Sequence, residues 1–358
     1  MTTLVAPVRI TRAERFRIPR PVVIGLLAAV AAALVLTVLP GAYGAVSDGI
    51  ARIPHADARW LALALVLEAL SFLGHVILFR AVFVEGSSRV GYGASYEITM
   101  AGHAATRVFG AAGAGGVALQ VWALKRSGIS GRTVAARMVA FLVLLYSFYA
   151  ITVATVGFGL WSGALPGGGS ALLTIVPGAL ALLMIGGALA SSRLATRLHL
   201  TGRAAKVAAT VSDGVDGALE IARRRDPRLL GGAMWWAADI AVLWATFHAF
   251  GYSPPIFVIV LGYFLGLIGN ALPFVGSLGG VDGGMIGALV ALGTVAPVTI
   301  AAVVLYRLIS CWIPTIPGLA AYLQLRGRMA DWERTTESEP PAALAREPEP
   351  APALAIAA

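Results

Sequence analysis

The chain has 358 residues, of which 58% are hydrophobic and 13% charged, and its mean hydropathy is +0.82. Soluble globular domains carry about 25% charged residues, so this composition excludes an ordinary soluble protein and predicts a polytopic membrane protein. The net charge of +9 would suit a nucleic-acid partner. In a membrane protein such a charge is typical of basic cytoplasmic loops, and we expect no nucleic-acid partner.

Long apolar runs predict the membrane-spanning helices. Residues 1–20 carry five arginines and predict a basic cytoplasmic N-terminus. The apolar run that follows, 21–40, is longer than the apolar region of a signal peptide, roughly 7–15 residues, so we interpret it as a retained transmembrane helix. Further runs near the length of ~20 residues that a crossing needs occur at 60–84, 134–160, 170–191, 229–251 and 297–325. Together they predict an all-α fold with about six full crossings in a membrane domain at 21–325.

Two further apolar segments, 94–127 and 255–293, are interrupted by glycine-rich breaks. Each has a helical arm, a break and a second arm of roughly 14 residues, which is short for a crossing. Broken backbone survives in a membrane only where it is buried in protein or lines a watery cavity. The sequence therefore predicts either re-entrant hairpins or paired short spans, and counting crossings does not separate the two.

Basic residues concentrate in alternate loops. If 1–20 is cytoplasmic, the basic segments 125–137 and 193–228 fall on the same side of the membrane. The loops 161–169 and 251–255 have no charge and then face outside. This arrangement satisfies the positive-inside rule and predicts that both termini are cytoplasmic.

Two segments lie outside the predicted spans. Residues 193–228 predict a cytoplasmic linker helix, either on the membrane surface, with its basic end at anionic headgroups, or in solvent. Residues 326–358 become rich in Pro, Glu and Ala towards their end and predict a disordered cytoplasmic tail.

The two interrupted segments resemble each other. Gly-Gly-Val at 115–117 recurs at 279–281, followed each time by a short arm and an alanine-rich spanning helix. The units 58–160 and 227–325 thus have the same order of elements, and the number of crossings between them gives them opposite orientations. This is the inverted-repeat plan of many transporters, in which broken helices meet near the midplane. The alternative is chance recurrence in a glycine-rich chain.

Ionisable residues inside spans cost roughly 2.5–3.5 kcal/mol at a helix centre and usually face the interior of the bundle. Arg307 lies near mid-depth of its span, where its side chain is too short to reach water, so it needs a partner. Asp282 is the nearest acidic residue in sequence, and Asp239 is the second candidate. We predict that Arg307 pairs with Asp282. A purely structural ion pair and a substrate site both remain open.

Other polar residues extend this candidate site. Glu68 and His75 share one helix face, as do His103 and Arg107, although structural histidines would explain both pairs. Glycines in the second break would let a headgroup approach backbone N–H groups. The predicted substrate-binding residues are Glu97, His103, Arg107, Asp239, Asn270, Gly279, Gly280, Asp282 and Arg307.

Motifs that carry catalysis are absent from the sequence. It has no Ser-His-Asp spacing, no HExxH, no Walker loop and no cluster with metal-ligand spacing. We therefore predict no catalytic, cofactor or metal site, and we expect that the chain is not an enzyme.

The stretch "LPFVGSLGGVDGGMIGALVALG" and the helix after it resemble a known family, the lysylphosphatidylglycerol synthase transmembrane region. The residues that fit are Pro273, Gly279, Gly280, Asp282, Gly293, Arg307, Pro314 and Gly318. The first-half stretch "GAAGAGG…LKRSGIS" fits more weakly, because a proline is missing and Gln120 stands where many relatives carry a charge. Asp282 also replaces what is commonly Glu. The family includes the flippase part of the multiple-peptide-resistance proteins and many stand-alone membrane proteins.

This resemblance covers about residues 20–325 and implies a fold of two repeats in the bacterial cytoplasmic membrane. It implies translocation of phospholipid or a lipid-linked substrate, with anionic phospholipid or a lipid-linked intermediate as partner and a homodimer as an open option. The aminoacyltransferase domain of larger relatives is absent from this sequence, so we expect no lipid aminoacylation. The alternatives are a membrane enzyme or accessory subunit in lipid or glycan synthesis, and a small-solute transporter. A polar cavity with a lateral opening to lipid would favour translocation.

Overall fold

A computed structural model describes residues 40–84, 89–109, 114–197, 201–268 and 280–338 of the chain. The predicted span 21–40 lies outside these residues except at its end, as do most of the two glycine-rich breaks. In the described residues the fold is all-α, as predicted. In chain order the helices are α1 (Pro40–Arg52), α2 (Ala58–Phe83), α3 (Tyr92–Phe109), α4 (Ala114–Arg126), α5 (Gly131–Trp161), α6 (Ala171–Arg197), α7 (Gly202–Arg223), α8 (Leu230–His248), α9 (Ile256–Leu267), α10 (Gly280–Ala291), α11 (Ala296–Arg307) and α12 (Ile313–Ser338).

Five helical stretches of the described chain are long and apolar enough to cross a membrane. Their bounds agree with the predicted runs to within a few residues at most ends. The stretches are Ala58–Phe83, Gly131–Trp161, Ala171–Ala190, Pro227–His248 and Ala296–Trp332.

Two segments differ from the prediction. No helix was predicted between the apolar runs 21–40 and 60–84, but the structure has α1 there, which packs against α11. Residues 326–338 were expected to begin a disordered tail, but they continue α12. The physical reason is burial, because Met329 and Trp332 pack into the main hydrophobic core. The remainder of the predicted tail, 339–358, lies outside the described residues.

Helices α2 and α8 form the central crossing of the bundle. A Cβ atom on Gly74 of α2 would lie 2.6 Å from the Gly231 carbonyl oxygen of α8, and one on Gly231 would lie 2.5 Å from the Gly74 oxygen. The two backbones therefore touch, as small residues allow in membrane helix pairs. Since α2 and α8 begin the two predicted repeat units, this crossing joins the units directly.

The interrupted segments each form a packed pair of helices. In the first pair, a Cβ on Gly116 of α4 would lie 2.5 Å from the Gly102 oxygen of α3. In the second pair, a Cβ on Gly266 of α9 would lie 2.8 Å from the Met285 Cα of α10. Helices α9 and α10 have 12 residues each, which is about 18 Å against a hydrocarbon core of about 30 Å. Both halves thus contain the same series of helices, and the inverted orientation stays a prediction.

The linker helix α7 packs along α5 and α6. Its apolar side buries Val215 and Ala218, and Asp213 forms an ion pair with Arg132 of α5 at 3.1 Å. Helix α7 is therefore docked on the bundle at the end that carries the basic loops, within the range predicted for it.

One π turn, Leu308–Trp312, separates α11 from α12. It follows Arg307 directly and precedes the prolines Pro314 and Pro317. A proline lacks the N–H that an α-helix would use one turn earlier, which accommodates a wider turn at this place. Such turns occur frequently at functional sites.

Candidate functional site

A cavity of about 770 Å³ lies in the middle of the bundle. Its wall is formed by residues of α2, α3, α4, α5, α6, α8, α9 and α11. Both predicted repeat units therefore contribute to it. One wall is polar and the other is apolar.

Two acidic side chains meet on the polar wall. The Asp239 Oδ2 atom accepts hydrogen bonds from the hydroxyl groups of Tyr263 and Tyr306, the second at 3.1 Å. The carboxyl group of Glu68, which is buried, is a direct neighbour of the Asp239 carboxyl. Both acids line the cavity. Helices α2 and α8 place them there because Glu68 and Asp239 lie on the facing sides of the central crossing.

The predicted ion pair between Arg307 and Asp282 is present. The Nε atom of Arg307 pairs with the Oδ1 atom of Asp282, and the side chains are 8% and 25% exposed. Arg307 also lines the cavity, next to Tyr306. Asp282 lies in the first turn of α10, where the positive end of the helix stabilises a carboxylate. The pair thus connects the second broken segment with the polar wall.

Buried polar atoms without a hydrogen-bond partner concentrate on this wall. In native proteins roughly 90% or more of buried polar groups are paired. Among the described residues, nearly all buried side-chain atoms without a partner belong to side chains that line the cavity. Those on the cavity wall are Glu68 Oε2, both ring nitrogens of His75, His103 Nε2, Arg107 Nε, Asp239 Oδ1 and Arg307 Nη2. This concentration is typical of a binding site whose ligand supplies hydrogen-bond donors and acceptors.

The part of the wall formed by α5 and α6 is mainly apolar and includes exposed side chains. It contains residues such as Leu142, Ile185 and Ala188. Two lining residues at its edge, Met184 of α6 and Ile268 after α9, are 52% and 54% exposed. Met184 lies midway along α6 rather than at its end, so among the described residues the cavity wall reaches the side of the bundle there.

The structure places most predicted site residues in or beside this cavity. His103, Arg107, Asp239 and Arg307 line it, and Asp282 contacts it through Arg307. Gly280 is the first residue of α10. Asn270 and Gly279 lie outside the described residues. The assignment of these residues to substrate stays a prediction.

Glu97 was predicted in the site and does not line the cavity. It is buried and binds Arg328 of α12, whose Nε and Nη2 atoms donate hydrogen bonds of 2.8 and 2.6 Å to its carboxylate. The reason is helical geometry, because Glu97 and His103 are six residues apart and project from different faces of α3. Glu97 therefore ties α3 to α12.

We expect that Arg328→Ala lowers stability without lowering function. The change leaves the buried Glu97 carboxylate without its partner, which costs about 1–3 kcal/mol, discounted by the half-exposed position of Arg328. Thermal unfolding of the purified protein in detergent measures this loss. Arg334→Ala is the matched control, since the Arg334–Asp331 pair on the same helix is exposed. An unchanged melting temperature in Arg328→Ala would contradict the structural role.

Sequence reasoning did not select the tyrosines that hold Asp239. Tyr263 is the eighth residue of α9, and Tyr306 immediately precedes Arg307. Tyrosines in membrane proteins are usually enriched at the interfaces. Their position near mid-depth was the signal that could have identified them.

In the part of the chain that the structure describes, no three His, Cys, Asp or Glu side chains are grouped as metal ligands.

Comparisons with known proteins agree with this membrane architecture. Residues 22–318 match the family described as "Lysylphosphatidylglycerol synthase TM region". One curated relative, a "UPF0104 membrane protein" of Methanothermobacter thermautotrophicus (strain Delta H), is 37% identical over 87 residues. That alignment covers 24% of this chain and 25% of the relative.

Proposed function

Because the chain belongs to the lysylphosphatidylglycerol synthase transmembrane-region family, we propose that it translocates a phospholipid or lipid-linked substrate across a membrane. The observation that carries the proposal is the two-walled cavity. Its polar wall offers unpaired buried donors and acceptors, and its mainly apolar wall reaches the side of the bundle, where we infer a lateral opening. A lipid has the same division into a polar headgroup and apolar chains.

The depth of the polar wall supports this function. Glu68, Asp239 and Arg307 lie about ten residues after the first residues of α2, α8 and α11, which is ~15 Å, or half of a ~30 Å hydrocarbon core. A headgroup at this depth would have left one leaflet and would be halfway to the other. The lateral opening would let the acyl chains stay in lipid meanwhile.

The lateral opening also favours a lipid over a small polar solute. A solute transporter needs a water-filled path that excludes lipid, whereas apolar side chains form the edge of this cavity. We therefore propose lipid translocation rather than transport of a small polar solute.

The test is lipid scrambling in proteoliposomes. Vesicles that contain the full chain and a fluorescent phosphatidylglycerol are treated with dithionite, which bleaches only the outer leaflet. We expect that the protein carries the inner pool outward, so that bleaching exceeds that of protein-free vesicles. Fluorescence that stays at the protein-free level would overturn the proposal and favour the enzyme or accessory-subunit alternative.

Arg107 supplies the matched variant for this assay. We expect that Arg107→Gln lowers the scrambling rate about tenfold or more, because a hydrogen bond to a charged group contributes about 1.5–3 kcal/mol. The control is Arg132→Gln, since the Arg132 side chain is exposed and pairs with Asp213 on the surface. Equal rates in the two variants would contradict a role of the cavity arginine.

We also propose that both termini lie in the cytoplasm of a bacterial inner membrane. The basic loops at one end of the bundle support this orientation. In a background with Cys311 replaced by Ala, single cysteines at Ala164 and Ser253 are expected to react with an impermeant maleimide added to intact cells. Cysteines at Ala204 and Ala330 are expected to react only after lysis. Labelling of Ala204→Cys from outside would reverse the orientation.

A further inference from the structure

The net charge of the cavity follows from the ionisable side chains around it. Three carboxyl groups and two guanidinium groups meet there. The breaks at 110–113 and 269–279 contain no ionisable residue and add no charge. If every carboxyl group were ionised, the cluster would carry one net negative charge. The members of this cluster are Glu68, Arg107, Asp239, Asp282 and Arg307.

One proton on the Glu68–Asp239 pair would make the cluster neutral. Asp282 forms an ion pair with Arg307 and is counted here with its negative charge. Glu68 and Asp239 are neighbours, and adjacent carboxyl groups in a low-dielectric site do not both ionise readily. The groups that face this pair from the surrounding helices are Arg107, Arg307, Tyr263, Tyr306, His75 and His103.

Arg107 and Arg307 lie on the same wall, and each has a buried N–H donor without a partner among the described residues. The donor atoms are Arg107 Nε and Arg307 Nη2. Guanidinium groups bind phosphate through charge-assisted hydrogen bonds, and Arg is favoured where such binding is buried. An entering phosphate would restore a net negative charge to the cluster, which a low-dielectric site opposes.

We propose that an anionic phospholipid headgroup and one proton bind this cavity together, the phosphate on Arg107 and Arg307 and the proton on the Glu68–Asp239 pair. The proton comes from water and adds to a carboxylate oxygen, so no other bond forms or breaks. The empty, neutral site already holds one proton on this pair, so the proton that binds with the lipid is the second. Both carboxyl groups of the pair are then neutral, the charges of Asp282 and the phosphate balance the two arginines, and the loaded site is neutral. The inference rests on the proposed function and specifies the charge of the substrate and the ion that moves with it.

A consequence is that a pH difference across the membrane drives lipid movement. Because the loaded complex carries a proton with each lipid, the lipid accumulates in the leaflet on the alkaline side. Without a gradient, the same complex equilibrates the two leaflets.

Calorimetry tests the co-binding directly. Short-chain phosphatidylglycerol is titrated into the full chain in detergent, in two buffers at the same pH that differ in ionisation enthalpy. The difference in measured heat gives the number of protons taken up for each lipid bound. We expect about one proton per lipid, as linkage between the two bound species requires. Proton release, or equal heats in the two buffers, would overturn the proposal.

Replacing both carboxyl groups of the Glu68–Asp239 pair by amides tests whether this pair takes up the proton. In the double variant Glu68→Gln with Asp239→Asn, the pair is permanently neutral and takes up no proton. We expect that this variant binds the lipid with an affinity independent of pH and with equal heats in the two buffers. The matched control is Asp213→Asn, whose carboxylate lies on the surface, and it should retain proton uptake. Undiminished proton uptake in the double variant would refute the assignment. If the double variant does not fold, the wild-type calorimetry still decides the question.

The outcomes separate this inference from the proposed function. Lipid binding without proton uptake would refute co-binding and leave translocation intact. Lipid binding with proton uptake but without scrambling would refute translocation and leave the co-binding site intact. The absence of any phospholipid binding would refute both.

Discussion

Exchanging the charges of Asp282 and Arg307 is expected to restore folding but not lipid translocation. The single variant Asp282→Ala leaves a guanidinium group that is 8% exposed without its partner. Breaking a buried pair in this way costs about 3–5 kcal/mol, so a loss of activity in this variant would not identify a functional role. The double variant, Asp282→Arg with Arg307→Asp, re-forms a pair of the same net charge and recovers much of that stability.

The two roles of the pair give different results in the swapped protein. A pair that only stabilises the fold should recover both the melting temperature and scrambling. A pair that handles substrate should recover the melting temperature and remain inactive, because the guanidinium group no longer faces the cavity. Full scrambling by the swapped protein would therefore exclude Arg307 from substrate binding. The control swap, Asp331→Arg with Arg334→Asp, exchanges an exposed pair on α12 and should change neither measurement.

Ala188→Trp is expected to stop translocation while leaving the polar wall unchanged. Ala188 lies on α6 in the apolar wall, next to the lateral edge. An indole ring there would fill the space that the acyl chains of a bound lipid need. We expect a loss of scrambling of about tenfold or more, equal to a penalty of ~1.4 kcal/mol or greater for lipid entry.

The control for this variant is Leu183→Trp. Leu183 lies on the same helix, is exposed and does not line the cavity. Both variants add a large aromatic ring to α6, so a difference between their scrambling rates reports the cavity alone. Equal rates in the two variants, at the wild-type level, would show that lipid does not pass through the lateral opening.

Hydropathy was sufficient to predict the long helices, because lipid requires apolar residues along their whole length. It was insufficient for α1 and for the end of α12. Residues 326–338 are rich in charged and polar side chains, and their helix depends on the burial of two separated residues, Met329 and Trp332. Such tertiary burial leaves no continuous apolar run in the sequence.

The candidate site was predictable where chemistry constrains pairing. A mid-depth arginine requires an anion, which identified Arg307 and Asp282 without a structure. The contact of Glu97 with Arg328 was not predictable, because Arg328 follows it by 231 positions and lies in a segment interpreted as tail. Tyr263 and Tyr306 were missed because a neutral side chain gives no comparable signal. The meeting of Glu68 with Asp239 depends on the crossing of α2 and α8, which is a property of the assembled bundle.

The π turn at Leu308–Trp312 has a consequence for comparing this chain with its relatives. Such a turn holds one residue more than an α-helical turn, so every later side chain is displaced by about 100° around the axis. In a relative with an uninterrupted α-helix here, a gap of one position is needed to match residues that share a face. Insertion or deletion of a single residue at this place would therefore rotate Arg328 and the rest of α12 around the helix axis, while Tyr306 and Arg307 kept their positions.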